Sequence, residues 1–246
     1  MLRPRAHAPV VVIVLAGLAL AEAACSSSSP EQQLLTTFFR AARVRDNTTL
    51  GNIAAITFNP RSDGTVEQFE IVSVGQEQRR GIDLKALVTE EAEAKEEEEA
   101  FSRRRVEFQT ANQEAIQRVA KAESARQEVR GADAAVLASL TKWRQEQAQH
   151  SRRLSDVRAR LSRERSAAVN SLTPPGQPDV DVSNIDLAIV SKQVTVNAQV
   201  RTPDGQTAPR TIIFSFQRAI GTQGGETREG RSMITGLQQQ AAPPLS

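Results

Sequence analysis

The residue types that most often carry chemistry are few in this chain and lie far apart. It contains one cysteine, Cys25, and two histidines, His7 and His150. His150 has no cysteine or second histidine near it and falls on a helical seam, so a tolerated polar position is a better interpretation than a metal ligand. No Ser-His, Cys-His or metal-binding constellation can be assembled. We therefore expect no catalytic residues, no metal ligands and no cofactor.

Three further segments have the composition of functional motifs but the wrong context. The carboxylates of residues 90–99 could serve acid–base chemistry, yet a charge run on a helix is usually a solvated face. The glycine-rich residues 221–230 open no helix and lack the Gly-Lys-Thr ending of a phosphate loop. Arg103–Arg105 lie among acidic residues without interleaved aromatics, and the net charge is only +2. These features give no support for nucleic-acid binding.

The N-terminal residues resemble an export signal. Arg3 and Arg5 form a short basic start, and the apolar run of residues 10–21 is too short to span a bilayer comfortably. The pattern predicts a signal peptide at residues 1–24 and a serine-rich flexible tether at residues 25–30.

Two cleavage sites compete at the end of this signal. The tripeptide ending at Ala23 fits the small-x-small rule for soluble secretion, whereas residues 22–25 resemble a bacterial lipobox in which Glu22 replaces the usual Leu, Val or Ile. An unpaired cysteine in an exported protein needs a role, and lipidation of Cys25 supplies one. We therefore favour a lipoprotein of the bacterial cell envelope, anchored to the membrane by its N-terminal lipid and facing the periplasm or the exterior.

The middle of the chain predicts an antiparallel coiled-coil hairpin at residues 83–172. From Leu84 a 3,4 spacing continues in one phase for about twelve heptads. A single straight rod would be roughly 130 Å long and would separate the two flanks, so a turn is expected near Gly131. The predicted seam consists of Leu87, Ala94, Phe101, Phe108, Ala115, Val119, Ala122, Val129, Val136, Leu140, Trp143, Leu154, Val157, Leu161 and Ala168.

A turn at Gly131 also predicts which residues of the two helices face each other. Large apolar side chains then meet in the pairs Phe101 with Leu161, Phe108 with Leu154, Val119 with Trp143, and Ala122 with Leu140. The same register places Asn112 beside His150. It also brings the acidic residues 96–99 alongside Arg163 and Arg165.

The chain before the hairpin predicts the first part of an α+β domain, residues 31–77. An amphipathic helix is expected at residues 31–45, and Asp46 can cap a second short helix that ends near Ile56. A strand of about six residues follows at 69–74, and a polar exit then leads to the hairpin.

The chain after the hairpin predicts the remaining β-strands of the same domain, residues 178–237. Alternating apolar residues indicate strands at residues 182–189, 194–201, 210–219 and 231–237. Residues 221–225 are expected to form a loop, and residues 238–246 a disordered tail.

Three short segments carry a resemblance to a known superfamily. They are Phe38-Phe39-Arg40-Ala41 followed by Asp46, residues 194–200 followed by Asp204-Gly205, and the closing Arg231-Ser232-Met233-Ile234-Thr235. In this order they resemble the cystatin-like, nuclear-transport-factor-2-like domains, in particular short envelope lipoproteins, although Ser232 replaces a usual Trp. The resemblance covers residues 31–77 and 178–237. It implies a curved antiparallel sheet wrapped around a helix, a scaffold that hosts binding modules and enzymes alike.

The sequence as a whole predicts an α+β fold, in which a small helix-plus-antiparallel-sheet, cystatin-like domain is interrupted by a long antiparallel coiled-coil hairpin. We expect a non-enzymatic binding or scaffolding module whose hairpin contacts a protein partner or self-associates. One alternative is a periplasmic adaptor of a transport or efflux assembly. Another is a small-ligand binder or enzyme that uses the concave face of the sheet, with acidic candidates at Asp46, Asp63, Asp181 and Asp186.

Overall fold

Helices and one antiparallel sheet make up the protein, whose computed structural model describes residues 28–241. The helices are α1 (Pro30–Val44), α2 (Asn47–Ile53), α3 (Pro60–Asp63), α4 (Leu84–Ala111), α5 (Gln113–Ser124) and α6 (Ala132–Leu172). The strands are β1 (Thr65–Val74), β2 (Gln78–Ile82), β3 (Asp186–Arg201), β4 (Thr207–Gln223), β5 (Glu226–Glu229) and β6 (Met233–Ala241). The sheet has six strands and curls into a half-barrel. The predicted signal peptide, Cys25 and the start of the tether lie outside the described residues.

The sheet is assembled on two long central strands. β3 and β4 pair antiparallel along their whole length, from Asp186 with Thr222 to Arg201 with Thr207. β1 and β2 pair with β3, while β5 and β6 pair with β4. The segments before and after the long helices therefore complete a single sheet.

Strand β3 buries one face near its start and the opposite face near its end. From Val194 to Val200 the even-numbered residues of β3 are buried in the core beneath α1. Nearer the start of β3, Leu187 and Ile189 pack instead with Ala219 in a second core formed with α4 and α6. Because side chains alternate along a strand, these odd-numbered residues lie on the other face. One twisted sheet thus carries two cores.

The core beneath α1 is built from aromatic side chains. α1 places Phe38 and Phe39 on one helical face, and both pack edge-to-face on Phe214 of β4, with ring centroids 5.9 and 5.7 Å apart. Ser29 caps the start of the helix by accepting from the Gln32 amide at 3.2 Å. Arg45 ends it in the left-handed conformation, with φ of 57°.

Ser171 fastens the end of α6 to the sheet. Its hydroxyl donates to the Arg231 carbonyl at 2.8 Å and accepts from the Ala219 amide at 2.8 Å. The Arg231 amide donates in turn to the Ser171 carbonyl at 2.9 Å. Gly230 lies against this contact, because a Cβ at position 230 would come within 2.7 Å of the Ser171 carbonyl oxygen. The last turn of α6 and the β5–β6 connection are therefore in direct contact.

Several predicted boundaries differ from the structure. The polar residues 191–193, predicted as a gap between two strands, are part of the continuous strand β3. The predicted polar exit contains β2, an edge strand with four of its five residues exposed, so it has no apolar alternation to detect. The predicted loop at 221–225 is instead the end of β4 and a two-glycine turn into β5. β6 continues to Ala241, into the segment predicted as a disordered tail.

Candidate functional site

Residues 84–172 form a helical arm in which α4 and α5 lie antiparallel to α6. Three ion pairs fix the direction: Glu91 near the start of α4 pairs with Arg158 at 2.9 Å, Glu97 pairs with Arg153, and Arg118 in α5 pairs with Asp133 at 2.8 Å. Positions early in the ascending helices thus meet positions late in the descending one. At the base, Arg80 of β2 pairs with Glu164 at 2.9 Å and ties the arm to the edge of the sheet.

The predicted register between these helices is wrong. Phe101 packs on Trp143 and His150, with ring centroids 5.2 and 5.1 Å apart, instead of on Leu161. Phe108 also packs on Trp143, at 5.8 Å, instead of on Leu154. The Asn112 amide donates to the carbonyl of residue 108 at 2.9 Å and does not pair with His150.

The acidic residues at the base of the arm show the same displacement. Glu97 meets Arg153, roughly three helical turns before the predicted neighbours Arg163 and Arg165. Two features of the distal half explain the error. The ascending helix breaks at Asn112, and the connection spans residues 125–131. Gly131, with φ of 62°, is therefore the N-cap residue of α6 and does not lie at the centre of the turn.

Burial along the predicted seam divides the arm into two halves. The buried positions are Leu87, Ala94, Phe101, Val119, Leu154, Val157, Leu161 and Ala168. The half-buried positions are Phe108, Ala115, Ala122, Val129, Val136, Leu140 and Trp143. Except for Val119, the buried set belongs to the half nearest the sheet. All the half-buried residues lie between 108 and 143. The apolar side chains in the distal half of the arm are therefore only partly shielded from solvent.

An open cleft of about 230 Å³ lies in this distal half, beside the helix break. Its apolar wall is formed by Phe108, Ile116, Leu140 and Trp143, and we call it the aromatic cleft. Arg105 donates to Gln147 across its rim. The Arg105 Nε atom is buried without a hydrogen-bond partner among the described residues. Trp and Arg in a partly desolvated pocket are the residue types that dominate protein–protein hot spots.

A second cluster of charges, on the sheet, has a structural explanation. The Lys192 Nζ atom donates to Glu31 at 2.6 Å and to Glu77 at 3.3 Å, and Arg218 pairs with Glu77 at 2.7 Å. Burial alone would lower the pKa of Lys192, but its hydrogen bonds to the two glutamates outweigh this effect and raise the pKa. Burial alone would raise the pKa of Glu31, but the bond from Lys192 holds it below the usual range. The cluster joins the start of α1 to the centre of the sheet.

Lys192→Met is expected to lower the free energy of unfolding at pH 7 by about 2 kcal/mol, because it leaves the Glu31 carboxylate without its charged donor. The side chains of Lys192 and Glu31 are only 15% and 12% exposed, so solvent screens this pair weakly. Urea denaturation of both proteins at several pH values measures the effect.

The pH dependence of this difference has a definite sign. The lowered pKa of Glu31 stabilises the fold above the glutamate value of the unfolded chain, about 4.3, and that contribution is lost as pH falls through the folded value. The raised pKa of Lys192 contributes until pH rises through its folded value. The difference between wild type and Lys192→Met should therefore shrink near pH 3. Lys142→Met, which removes an exposed pair on α6, should have little effect at any pH; a loss equal to that of Lys192→Met would contradict the assignment.

Three of the four acidic residues considered for catalysis hold local turns, and the fourth, Asp186, is the exposed first residue of β3. Asp46 caps α2 by accepting from the Thr49 amide at 3.0 Å, Asp63 accepts from the residue 59 amide at 2.8 Å, and Asp181 from the residue 183 amide at 2.9 Å. Within residues 28–241, no group of three or more His, Cys, Asp or Glu side chains is placed to hold a metal ion. In the same residues, no helix has the length and apolar character needed to cross a membrane.

The chain was also compared with known proteins. Comparisons against family models, curated proteins and solved structures found no match. Because no match indicates a function, the proposal below rests on the helical arm, whose seam residues are unevenly buried and which carries the aromatic cleft.

Proposed function

We propose that the protein is a non-enzymatic lipoprotein of the bacterial cell envelope, in which a cystatin-like domain near the membrane carries a coiled-coil hairpin that docks a protein partner. The observation that carries this proposal is the burial pattern of the arm. Its proximal seam is buried, whereas the seam between residues 108 and 143 is half-exposed apart from the buried Val119. The signal peptide predicted at residues 1–24 and the expected lipidation of Cys25 are the sequence features that support an envelope location.

The geometry favours docking at the distal end of the arm. α6 alone has 41 residues and extends over about 60 Å, which places the aromatic cleft well away from the sheet. Apolar side chains that two helices leave half-exposed can be buried by a further helix, and each such burial contributes to association. Trp143 stands at the centre of this surface because it packs on both Phe101 and Phe108.

The partner inferred from this chemistry is an amphipathic helix of another protein. Its apolar face would cover the aromatic cleft, and acidic or amide groups on it would satisfy the buried Nε atom of Arg105. Self-association of the arm would use the same surface but would make the oligomeric state depend on protein concentration.

A photo-crosslinking amino acid at Gln109, an exposed residue on the rim of the cleft, tests the docking. In native membranes we expect one specific adduct, and we expect Trp143→Ala to reduce its yield at least about tenfold, as for a hot-spot residue. Trp143→Leu should give an intermediate yield because it keeps part of the apolar wall. Val106→Ala, on the exposed side of α4, is the matched control and should leave the yield unchanged. An adduct that survives Trp143→Ala would refute docking at the cleft.

The membrane anchor has a separate test. Intact-mass analysis of detergent-extracted protein should show the mass of a lipid on the wild-type chain and none on Cys25→Ser. Wild-type protein that lacks the added mass and begins at Ala24 would indicate soluble secretion by the competing cleavage.

A further inference from the structure

The aromatic cleft owes its shape to a change of direction in the ascending helix at Asn112. On α6 its lining covers only residues 140–147, about 10 Å of helix, yet on the ascending side it extends from Arg105 to Glu123. A straight helix would spread these two residues over about 27 Å. Glu123 instead pairs with Arg144 at 3.7 Å. α5 is therefore inclined to α4 and forms one wall of the cleft.

The sequence around this bend is otherwise that of a continuous helix. Residues 84–124 contain no glycine or proline, and the 3,4 spacing of the seam continues through position 112 in one phase. Asn112 is the single residue between α4 and α5, and its φ of −120° and ψ of 21° depart from helical values. The bend is thus located at one residue, and that residue occupies a seam position.

The side chain of Asn112 interrupts the hydrogen bonds of the helix. Its amide nitrogen donates to the Phe108 carbonyl at 2.9 Å, and the same oxygen accepts from the Asn112 backbone amide at 3.1 Å. A side chain that enters the hydrogen-bond ladder of the preceding turn is a known cause of helix kinks. Asn112 is not among the residues that line the cleft, so it acts on the cleft through the two helices that it separates.

A straight ascending helix would fit the rest of the arm. Arg105 lies at the level of Gln147, so a helix continued to Ser124 would end roughly 6 Å beyond the start of α6. The connection of residues 125–131 can span up to about 23 Å, which is ample for this distance. The length of the connection therefore does not impose the bend.

We propose that Asn112 is the positioning residue of the docking surface: by interrupting the ascending helix it turns α5 toward α6 and holds the aromatic cleft in the shape that the partner helix recognises. This inference rests on the proposed docking at the cleft. A leucine at position 112 would favour a continuous helix and extend the apolar seam, so it would stabilise the arm while removing the cleft. Stability and docking thus depend on residue 112 in opposite directions.

Spin labels at the exposed residues Ser124 and Gln145 test the bend in the full chain without its natural cysteine. Pulsed electron paramagnetic resonance should give a short distance, because both labels adjoin the ion pair that joins α5 to α6. Asn112→Leu should lengthen it by roughly 10 Å, since residue 124 would then lie about 26 Å along the arm from the level of residue 145. The same variant should raise the melting temperature by a few degrees.

Asn112→Gly is the matched control, because glycine also interrupts a helix. It should keep the short distance and should not raise the melting temperature. A purely structural role of the Asn112 amide predicts something else, namely that both variants lose the same hydrogen bond and are both destabilised.

The crosslinker at Gln109 connects the bend to docking. Asn112→Leu should reduce the yield of the adduct at least about tenfold, although it leaves Trp143 and Arg105 in place. Asn112→Gly should keep most of the adduct.

The proposal is overturned if Asn112→Leu leaves the label distance unchanged, if it lengthens the distance but keeps the adduct, or if Asn112→Gly behaves as Asn112→Leu does. A wild-type protein that gives no adduct would refute the docking itself, and this proposal with it. An adduct that persists in Asn112→Leu refutes only this proposal. Should Asn112→Leu aggregate, Asn112→Ala decides, because alanine is the strongest helix former.

Discussion

Phe214→Ala is expected to lower the free energy of unfolding by about 3 to 5 kcal/mol, the largest stability effect that we expect from any single substitution proposed for this protein. Phe214 is fully buried at the centre of the aromatic core. Its ring packs edge-to-face on Phe38 and Phe39, so truncation removes two aromatic contacts and leaves a cavity between α1 and β4. Urea denaturation followed by circular dichroism measures the loss.

Ile213→Ala is the matched control for this substitution. Ile213 is the adjacent residue on β4 but lies on the opposite face and is only half-buried. Its truncation should therefore destabilise the protein clearly less. Equal losses for the two variants would mean that the face of the sheet covered by α1 is assigned wrongly.

Gly230→Ala is expected to cost about 3 kcal/mol, because the added methyl group overlaps the end of α6. The nearest atoms are the hydroxyl and carbonyl of Ser171, and the carbonyl oxygen would lie only 2.7 Å from the new carbon. Relief of the overlap requires α6 to move away from the sheet, which breaks the bonds that Ser171 makes to Ala219 and Arg231. Urea denaturation reports the cost, and amide hydrogen exchange at Ala219 reports the separation.

The control for this variant is Gly81→Ala in β2. A Cβ at position 81 meets nothing within 4 Å, so this variant should be nearly neutral and should leave exchange at Ala219 unchanged. If Gly230→Ala also left both the stability and the exchange unchanged, the proposed contact between α6 and the β5–β6 connection would be wrong.

Helices and strands whose apolar residues recur at regular spacing could be predicted from the sequence. The apolar spacing of residues 31–45 predicts α1 to within one residue, because only one face of that helix meets the sheet. Alternation from Val194 to Val200 likewise predicts the part of β3 that lies beneath α1. β2 was missed for the same physical reason: an edge strand exposed on both faces has no buried side to impose a period.

The continuity of β3 could not be deduced from alternation alone. Its buried face changes between Ile189 and Val194, where the second core ends and the core beneath α1 begins. At such a change the pattern contains consecutive polar residues that look like a turn. Only the packing of two separate sets of helices on one strand explains them.

The helical arm shows how periodicity differs from register. A heptad pattern identifies the side of each helix that is buried, but it is unchanged when one helix slides by whole turns. The predicted register therefore depended on the assumed position of the turn. The observed register is different because the ascending helix breaks at Asn112 and because α6 begins directly after Gly131. Asn112 was the available signal, since asparagine on a seam weakens a helix interior and favours caps.

The predicted seam contains Phe108, Leu140 and Trp143 of the aromatic cleft but not Ile116, and it does not give the boundaries of the cleft. The seam residues from Leu87 to Ala168 have similar apolar character, yet those between 108 and 143, except Val119, are left half-exposed. This difference depends on how closely the helices approach each other.

The distance between spin labels at Glu93 in α4 and Asp156 in α6 tests the central claim that the arm doubles back on itself. Both positions are exposed, and replacing Cys25, the only natural cysteine, leaves the two introduced cysteines as the sole labelling sites. Pulsed electron paramagnetic resonance should give a distance of about 15 to 35 Å, because packed helix axes are roughly 10 Å apart. A distance of about 95 Å, the length of one continuous helix between the two positions, would contradict the account.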